Sequence, residues 1–425
     1  MIQVKKLVRT PALVDLFAGC GGLSLGLETA GFETVFVNEL HPTARSTYLM
    51  NRLESNWLQR SENQSGDILA ITQKPDELSS LAARLRSEFG DIGLVSGGPP
   101  CQGFSGIGHR RSFDLSRNEI PGNHLYREMA SMIRSIAPRA FLFENVKGLL
   151  SARWTPGGSK GEIWNDVSST FNAIECTIGK RRVKYHVWTG LVYAKDFGVP
   201  QNRPRVIILG IRKDVCSSKE FAQETSPLQN RNQVSQAPHL IDLLDDLVDP
   251  RWQHGPTLKY PANPKNEVQE SFRRSRDGKS VARRGDSLSE QVYSKHDAQI
   301  VKKFEHMIAN DGEIPSGMRT KKFAQRVLPR QWTSAGPSIT ATSLPDDYVH
   351  YSLPRTPTVR EWARLQTFPD WYEFAGRRTT GGRRRAGDPA AGIWDRDLPK
   401  YTQIGNAVPV EMGKGLGQII LKMIS

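Results

Sequence analysis

Cys101 stands in GGPPCQGFS, residues 97–105, directly behind an apolar run, IGLVS at 92–96, that reads as a buried strand. The paired prolines stiffen the chain ahead of the thiol, and Gly97, Gly98 and Gly103 leave room for a flat substrate against the backbone. A lone cysteine beside a strand is more often apolar filler than nucleophile; the proline-cysteine context favours the nucleophile here. Glu144 closes a second such run, AFLFE at 140–144. A partly desolvated carboxyl at a strand end can hold its proton to higher pH and share it with a ring nitrogen. Taken alone, Glu144 would read as a helix cap or ion-pair partner. A thiol and an acid brought to one sheet edge are the parts of assisted covalent catalysis.

The turn FAGCGGLSLG makes a different offer. Gly19, Gly21 and Gly22 let the backbone pass close to a ligand at a helix start, and Glu39, at the end of the next strand, could accept hydrogen bonds from both ribose hydroxyls of an adenosine-containing cofactor. A dinucleotide-binding dehydrogenase would carry a similar pairing, and a tight turn with a surface Glu needs no ligand at all. This pairing leaves those alternatives open.

The elements that must position these residues follow from periodicity. Residues 12–17, 34–39, 92–96, 140–144 and 206–211 read as short buried strands, and 22–30, 42–51, 76–89 and 124–136 as helices. The alternation predicts a parallel sheet covered on both faces, with ligands at the carboxyl edge of its strands. From 213 onward the polar stretches SSKEFAQETSPLQNRNQVSQ and ESFRRSRDGKSVARRGDS defeat periodic assignment and predict a separate module or a disordered insert. GRRTTGGRRRAGDPAAG, 376–392, reads as a basic loop that grips phosphates or is simply solvated.

A chain of 425 residues divides into two or three domains. Its 58 basic against 44 acidic side chains, net +14, favour a polyanionic partner, nucleic acid first, while charge alone leaves a merely soluble basic protein about as open. Cysteines 20, 101, 176 and 216 lie far apart without a CxxC pair, so neither a disulfide framework nor a metal site is indicated and a reducing cytoplasm is expected. Asp15 interrupts the first apolar stretch and no run approaches bilayer length, so neither export nor membrane insertion is expected.

Taken together the motifs carry a family likeness. DLFAGCGG at 15–22, GGPPCQGFS at 97–105, ENV at 144–146, QNRPR at 201–205, REWARLQTFPD at 360–370 and QIGNAVP at 403–409 occur in the order found in DNA cytosine-5 methyltransferases, and the chain resembles that family in its bacterial restriction-modification form. Residues 213 to about 340 match no motif, where the family keeps its variable target-recognition domain. The resemblance implies an α/β fold: a doubly wound, Rossmann-like S-adenosylmethionine methyltransferase domain with a second, smaller target-recognition domain. Residues 1–212 with 401–425, ending in a helix at about 407–424, would form the catalytic and cofactor-binding part. Residues 213–400, including the REWARLQTFPD junction, would form the target-recognition region. Arg360 and Arg364 of that junction are expected to organise structure rather than do chemistry.

By the same resemblance Phe17, Gly19, Gly21, Gly22, Glu39, Asp67, Ile68, Leu125 and Asn406 would hold S-adenosylmethionine. Cys101 would add to carbon 6 of a flipped cytosine, Glu144 would bond N3 and the exocyclic amine, Arg205 would take the base O2, and Arg203 would steady the acid and its loop. The arginines would also favour the thiolate. GFSGIGHRR at 103–111 would close over the base. Expected partners are double-stranded DNA and, functionally, a restriction endonuclease; the expected state is a monomer in the bacterial cytoplasm.

The final motif reads QIGNAVPV where a second proline is commoner, and the interval from Phe368 to Gln403 is longer than in compact members. An RNA cytosine methyltransferase is the nearest alternative, disfavoured by the large segment 213–340. A non-catalytic relative should have lost Cys101 or Glu144. An amino-methylating enzyme would need an Asp/Asn-Pro-Pro-aromatic motif where GGPPCQ stands.

Overall fold

The computed structural model describes residues 10–100, 124–155, 157–215, 226–228, 236–251, 254–319, 325–333, 336–339, 347–379 and 397–425. Cys101, Gly103, the 103–111 segment and most of the basic 376–392 stretch therefore lie outside the described residues.

One sheet organises the first half of the chain. Its strands are β1 Ala12–Leu16, β2 Glu33–Asn38, β3 Gln64–Ser65, β4 Leu94–Gly97, β5 Ala140–Val146, β6 Glu175–Ile178, β7 Arg181–Tyr193 and β8 Pro204–Arg212, in the order β3-β2-β1-β4-β5-β8-β7-β6. Strands β1 to β5 run parallel. The expectation of a parallel sheet needs correction at its far side, where β8 pairs antiparallel with both β5 and β7, and β6 antiparallel with β7. The link from β7 to β8 carries only a short 3-10 turn, Ala194–Phe197, and a connection without a crossover helix can join only antiparallel neighbours.

The helices of this half are α1 Gly22–Ala30, α2 Pro42–Met50, α3 Leu69–Thr72, α4 Pro75–Phe89, α5 Leu125–Ile136 and α6 Glu162–Asn172. Alternate side chains along each strand feed two apolar layers. Val14, Val95 and Phe141 pack with Leu85, Ile133 and Phe171 of α4, α5 and α6. Leu13, Leu94 and Leu142 face the other way, onto Leu27 of α1 and Met412, Leu416 and Ile420 of the last helix, Val410–Ile424. That helix lies so close to α1 that a Cβ built on Gly413 would fall 2.6 Å from the Leu23 carbonyl.

The second half is built of short pieces: helices Leu240–Leu244, Glu267–Arg273, Ala298–Ala309, Val359–Leu365 and Lys400–Asn406, with two-residue strand pairs between them. Here buried ions replace periodicity as the organiser. Arg364 donates to Asp246 at 2.6 Å and to Asp370 at 2.6 Å, Arg273 donates to Asp246 at 2.7 Å, and all are buried. Arg360 donates to the Tyr372 carbonyl at 2.9 Å and to the Ser289 hydroxyl at 3.0 Å. Both arginines of the junction motif thus bond within the fold. Among the described residues no helix is long and apolar enough to cross a membrane.

Candidate active site

Parallel strands point the same way, so β1, β2, β4 and β5 deliver their carboxyl ends to one edge. Strand β8, running opposite, brings its amino end there, with Arg205 paired in register to Val146. Arg205 and Glu144 are then diagonal neighbours on one face. Their side chains form an ion pair at 2.5 Å, Nε to Oε1, and both are nearly buried.

The loop after β4 passes directly over this pair. A Cβ on Gly98 would lie 2.9 Å from Glu144 Oε2, so any side chain there would press on the carboxylate. Asn145, buried, donates from Nδ2 to the Pro99 carbonyl at 3.1 Å. The strand that carries the acid therefore also anchors the chain two residues before Cys101. The described cysteines, Cys20 and Cys176, are both buried. Cys20 donates to the Gln403 carbonyl at 3.4 Å, and burial pushes its thiol up to about 12. Burial likewise raises Cys176. Neither environment favours a thiolate.

The glycine turn lies beside this edge. Phe17 and Gly19 adopt left-handed φ values of 53° and 57°, the first uncommon for a bulky side chain and a sign of a constrained turn. The Gly19 N–H donates to Glu39 Oε2 at 2.8 Å and the His41 N–H to Oε1 at 2.7 Å. Burial raises the Glu39 carboxyl, opposed by those backbone donors. Glu39 lies one residue beyond β2, held by its N–H on the Ser65 carbonyl. Asn38 bonds the Gly66 carbonyl at 2.8 Å, which sets the exposed Asp67 and the buried Ile68 beside the Glu39 loop. Phe17 and Leu125 pack against the cluster that contains Ile68.

The chain returns to the same place at its far end. A Cβ on Gly22 would sit 2.4 Å from the Val408 carbonyl, so the turn bearing the exposed Asn406 abuts the glycine turn. Sequence reasoning overlooked Leu40, which is 68% exposed immediately after Glu39. Its signal was an apolar residue following the acid with no place in the strand pattern.

These residues suit an adenosine-containing cofactor. Each Glu39 oxygen spends one acceptor site on a backbone N–H and keeps another for a hydroxyl, and nothing lies within 4 Å of a Cβ on Gly19. Leu40 offers an exposed apolar surface.

Arg203 reaches the far end of the chain. It donates to the carbonyls of Gly405 at 2.8 Å, Ala407 at 2.9 Å and Ile339. Arg205, which the family resemblance assigns to the base, forms the ion pair with the acid.

Beneath the glycine turn Asp15 accepts from Ser96 Oγ at 2.9 Å and Tyr48 OH at 3.1 Å. Burial pushes its carboxyl up to about 6.

A family model described as C-5 cytosine-specific DNA methylase matches residues 12–422. The chain is similar to Type II methyltransferase M.DdeI of Desulfomicrobium norvegicum, 29% identical over 423 residues, with 96% of this chain and 88% of that protein covered. It is 30% identical over 422 residues to Type II methyltransferase M.PspPI of Psychrobacter sp., with 98% and 80% covered. A solved chain described as a DNA modification methyltransferase encoded within an E. coli prophage superposes with a TM-score of 0.62 at 21% identity, covering 97% of this chain and 99% of that one. At that identity the likeness is one of fold.

Proposed function

The chain belongs to the C-5 cytosine-specific DNA methylase family, of restriction-modification type, and on that premise we propose that it methylates a flipped cytosine in a short duplex sequence through a covalent adduct on Cys101. The observation that carries this reading is the Glu144–Arg205 ion pair, roofed by the Gly98–Pro100 segment that runs into Cys101.

Carbon 5 of cytosine is too weak a nucleophile to take a methyl group unaided. Addition of the Cys101 thiolate to carbon 6 pushes electrons into the ring. Glu144 hydrogen-bonds N3 and the exocyclic amine and stabilises the proton and charge that develop there. Arg205 holds Glu144 in place and supplies positive potential that favours the thiolate. S-adenosylmethionine, the family's methyl donor, supplies the methyl group when held by Phe17, Gly19, Gly21, Gly22, Glu39, Asp67, Ile68, Leu125 and Asn406. Loss of the carbon 5 proton then expels Cys101. A base within a duplex cannot reach the thiol, so the cytosine must leave the stack at a cost of a few kcal/mol.

Residues 213–400 read the sequence of the DNA in this proposal, while 1–212 with 401–425 carry the chemistry. The chain acts as a monomer and protects DNA from a cognate endonuclease. The decisive experiment is transfer of labelled methyl from S-adenosylmethionine to unmethylated duplex DNA by wild type and Cys101→Ser, followed by base analysis and methylation sequencing. Expected is 5-methylcytosine in one short context, abolished by the substitution. Methylation of transfer RNA in place of DNA would refute the substrate, and an active Cys101→Ser would refute the adduct.

A further inference from the structure

The QNRPR segment reaches in several directions at once. Arg205 belongs to the acid, whereas Arg203, buried, has one terminal nitrogen on the carbonyls of Gly405 and Ala407, at 2.8 and 2.9 Å. These carbonyls flank Asn406 at the end of the short helix Lys400–Asn406. The last carbonyls of a helix lack partners within it, and a cation there is favourable on both hydrogen-bonding and dipole grounds. The other terminal nitrogen donates to the Ile339 carbonyl.

Two neighbours repeat the pattern. Gln201, also buried, accepts from the Ile339 N–H at 3.0 Å and donates to the Leu365 carbonyl at 2.6 Å. The Asn202 carbonyl accepts the Ser338 hydroxyl at 2.7 Å. Gln366, which bonds Gln201 at 3.0 Å, donates in turn to the Ile404 carbonyl at 2.9 Å. The 405–408 turn is thus clamped from the QNRPR segment on one side and rests on Gly22 on the other.

We propose that Arg203 is a positioning residue of the cofactor site: by capping the carbonyls on either side of Asn406 it fixes the backbone from which that side chain projects, and through Ile339 it ties this turn to residues 338–339. The inference rests on the reading of Asn406 as a cofactor residue. It gives Arg203 a task at the cofactor turn, beside that of Arg205 at the acid and base.

The test measures S-adenosylmethionine affinity by titration calorimetry on the full chain without DNA, together with duplex affinity and kcat at saturating cofactor. Lysine keeps the charge but cannot serve all three carbonyls, so Arg203→Lys should weaken cofactor binding roughly tenfold. Duplex affinity and kcat should stay within a factor of about three. An unchanged cofactor affinity with a fall in kcat would overturn the proposal and return Arg203 to the base pocket. Parallel losses in all three readouts with a lowered Tm would overturn it in favour of a merely structural role. Asn406→Ala should also weaken cofactor binding, and the double variant should lose less than the sum. If Asn406→Ala binds cofactor like wild type, the reading of Asn406 fails and takes the proposal with it; if it weakens binding while Arg203→Lys does not, the proposal alone fails. Independently of any variant, cofactor added to wild type should slow amide hydrogen exchange at 404–408 and 338–339 together. Slowing confined to 404–408 would refute the tie through Ile339.

Discussion

Arg205 and Glu144 illustrate how a charge pair can be both buried and useful. Their 2.5 Å contact leaves neither side chain much exposed to water, and removing one partner strands the other. Replacement of Arg205 by Gln should therefore leave the Glu144 carboxylate nearly buried without its partner and remove the positive potential that the proposed chemistry assigns to Arg205. Single-turnover methyl transfer should slow by about 10²–10³, with S-adenosylmethionine affinity unchanged. A rate within a few-fold of wild type would show that the pair is not part of the chemistry. The cysteines provide a second check at this scale. With Cys20 at about 12 and Cys176 also raised, both by burial, alkylation of the native chain at pH 8 should leave both intact while the Cys101 peptide is modified and activity is lost. Mass spectrometry reads this directly, and inactivation tracking Cys20 would contradict it.

Among the elements, α1 and the last helix cross with glycines at the contact. A Cβ at Gly413 would meet the Leu23 carbonyl at 2.6 Å, backbone that cannot swing aside. Gly413→Ala should lower stability by about 1–3 kcal/mol through overpacking, against the gain in helix propensity that alanine brings at an uncrowded site; a denaturant midpoint at or above wild type would show that the helices can part. The helix Val359–Leu365 makes the other case. Thr358 and Glu361 cap it reciprocally, and Arg355 holds the buried Glu361 down at about 2 despite the upward push of burial. His350 accepts the Ser352 N–H on Nδ1 at 3.2 Å, which leaves the neutral ring's proton on Nε2, 3.7 Å from Glu361. Burial, reinforced by Arg355, pushes His350 down to about 3. The unfolded chain takes up that proton near its ordinary 6.5 and the folded chain does not. This contribution is therefore complete above about pH 6.5 and drains away as pH falls toward 3, by about 1.4 kcal/mol per pH unit. Asp15, raised to about 6, works in the opposite sense, its contribution fading as pH rises through 6. The clean measurement is a difference: between pH 6 and 4, His350→Asn should gain on wild type in urea midpoint by roughly that slope, and a pH-independent difference would disprove it. Much of this was invisible in the sequence. The early strands and helices announced themselves by periodicity, but β7, RRVKYHVWTGLVY, was hidden by charge: Val183 and Tyr185 are buried while Arg182 and Lys184 stand in water. At the site the motifs can be read one by one as candidates. Their partners cannot: Asn145 finds Pro99 and Arg203 finds Gly405 across stretches of chain that no local spacing encodes.

At the scale of the whole molecule, the division into a catalytic part and a recognition part meets a shared core. Cys20 and Leu25, from the glycine turn and α1, pack in one cluster with Leu243, Trp362, Phe368, Tyr372 and Tyr401. The Tyr372 hydroxyl donates to the Cys20 carbonyl, and Asn51 and Glu373 exchange a pair of bonds at 2.8 and 2.9 Å. The described residues between 240 and 375 therefore do not simply hang from the sheet; they pack against the underside of the glycine turn. The keystone of that region is Asp246, fully buried between Arg364 and Arg273. Asp246→Asn leaves two buried guanidinium groups short of one negative charge, which costs about 3–5 kcal/mol. If 213–400 were an autonomous module, this loss would appear as an early, separate unfolding step, with the sheet and its cofactor affinity surviving. The shared cluster predicts the contrary: one calorimetric transition for the described core, moved to lower temperature as a whole, with S-adenosylmethionine binding lost along the same curve. A split transition in Asp246→Asn, with cofactor still bound above the first step, would mean that the cluster around Trp362 is a docking surface between two independently stable bodies rather than a common core.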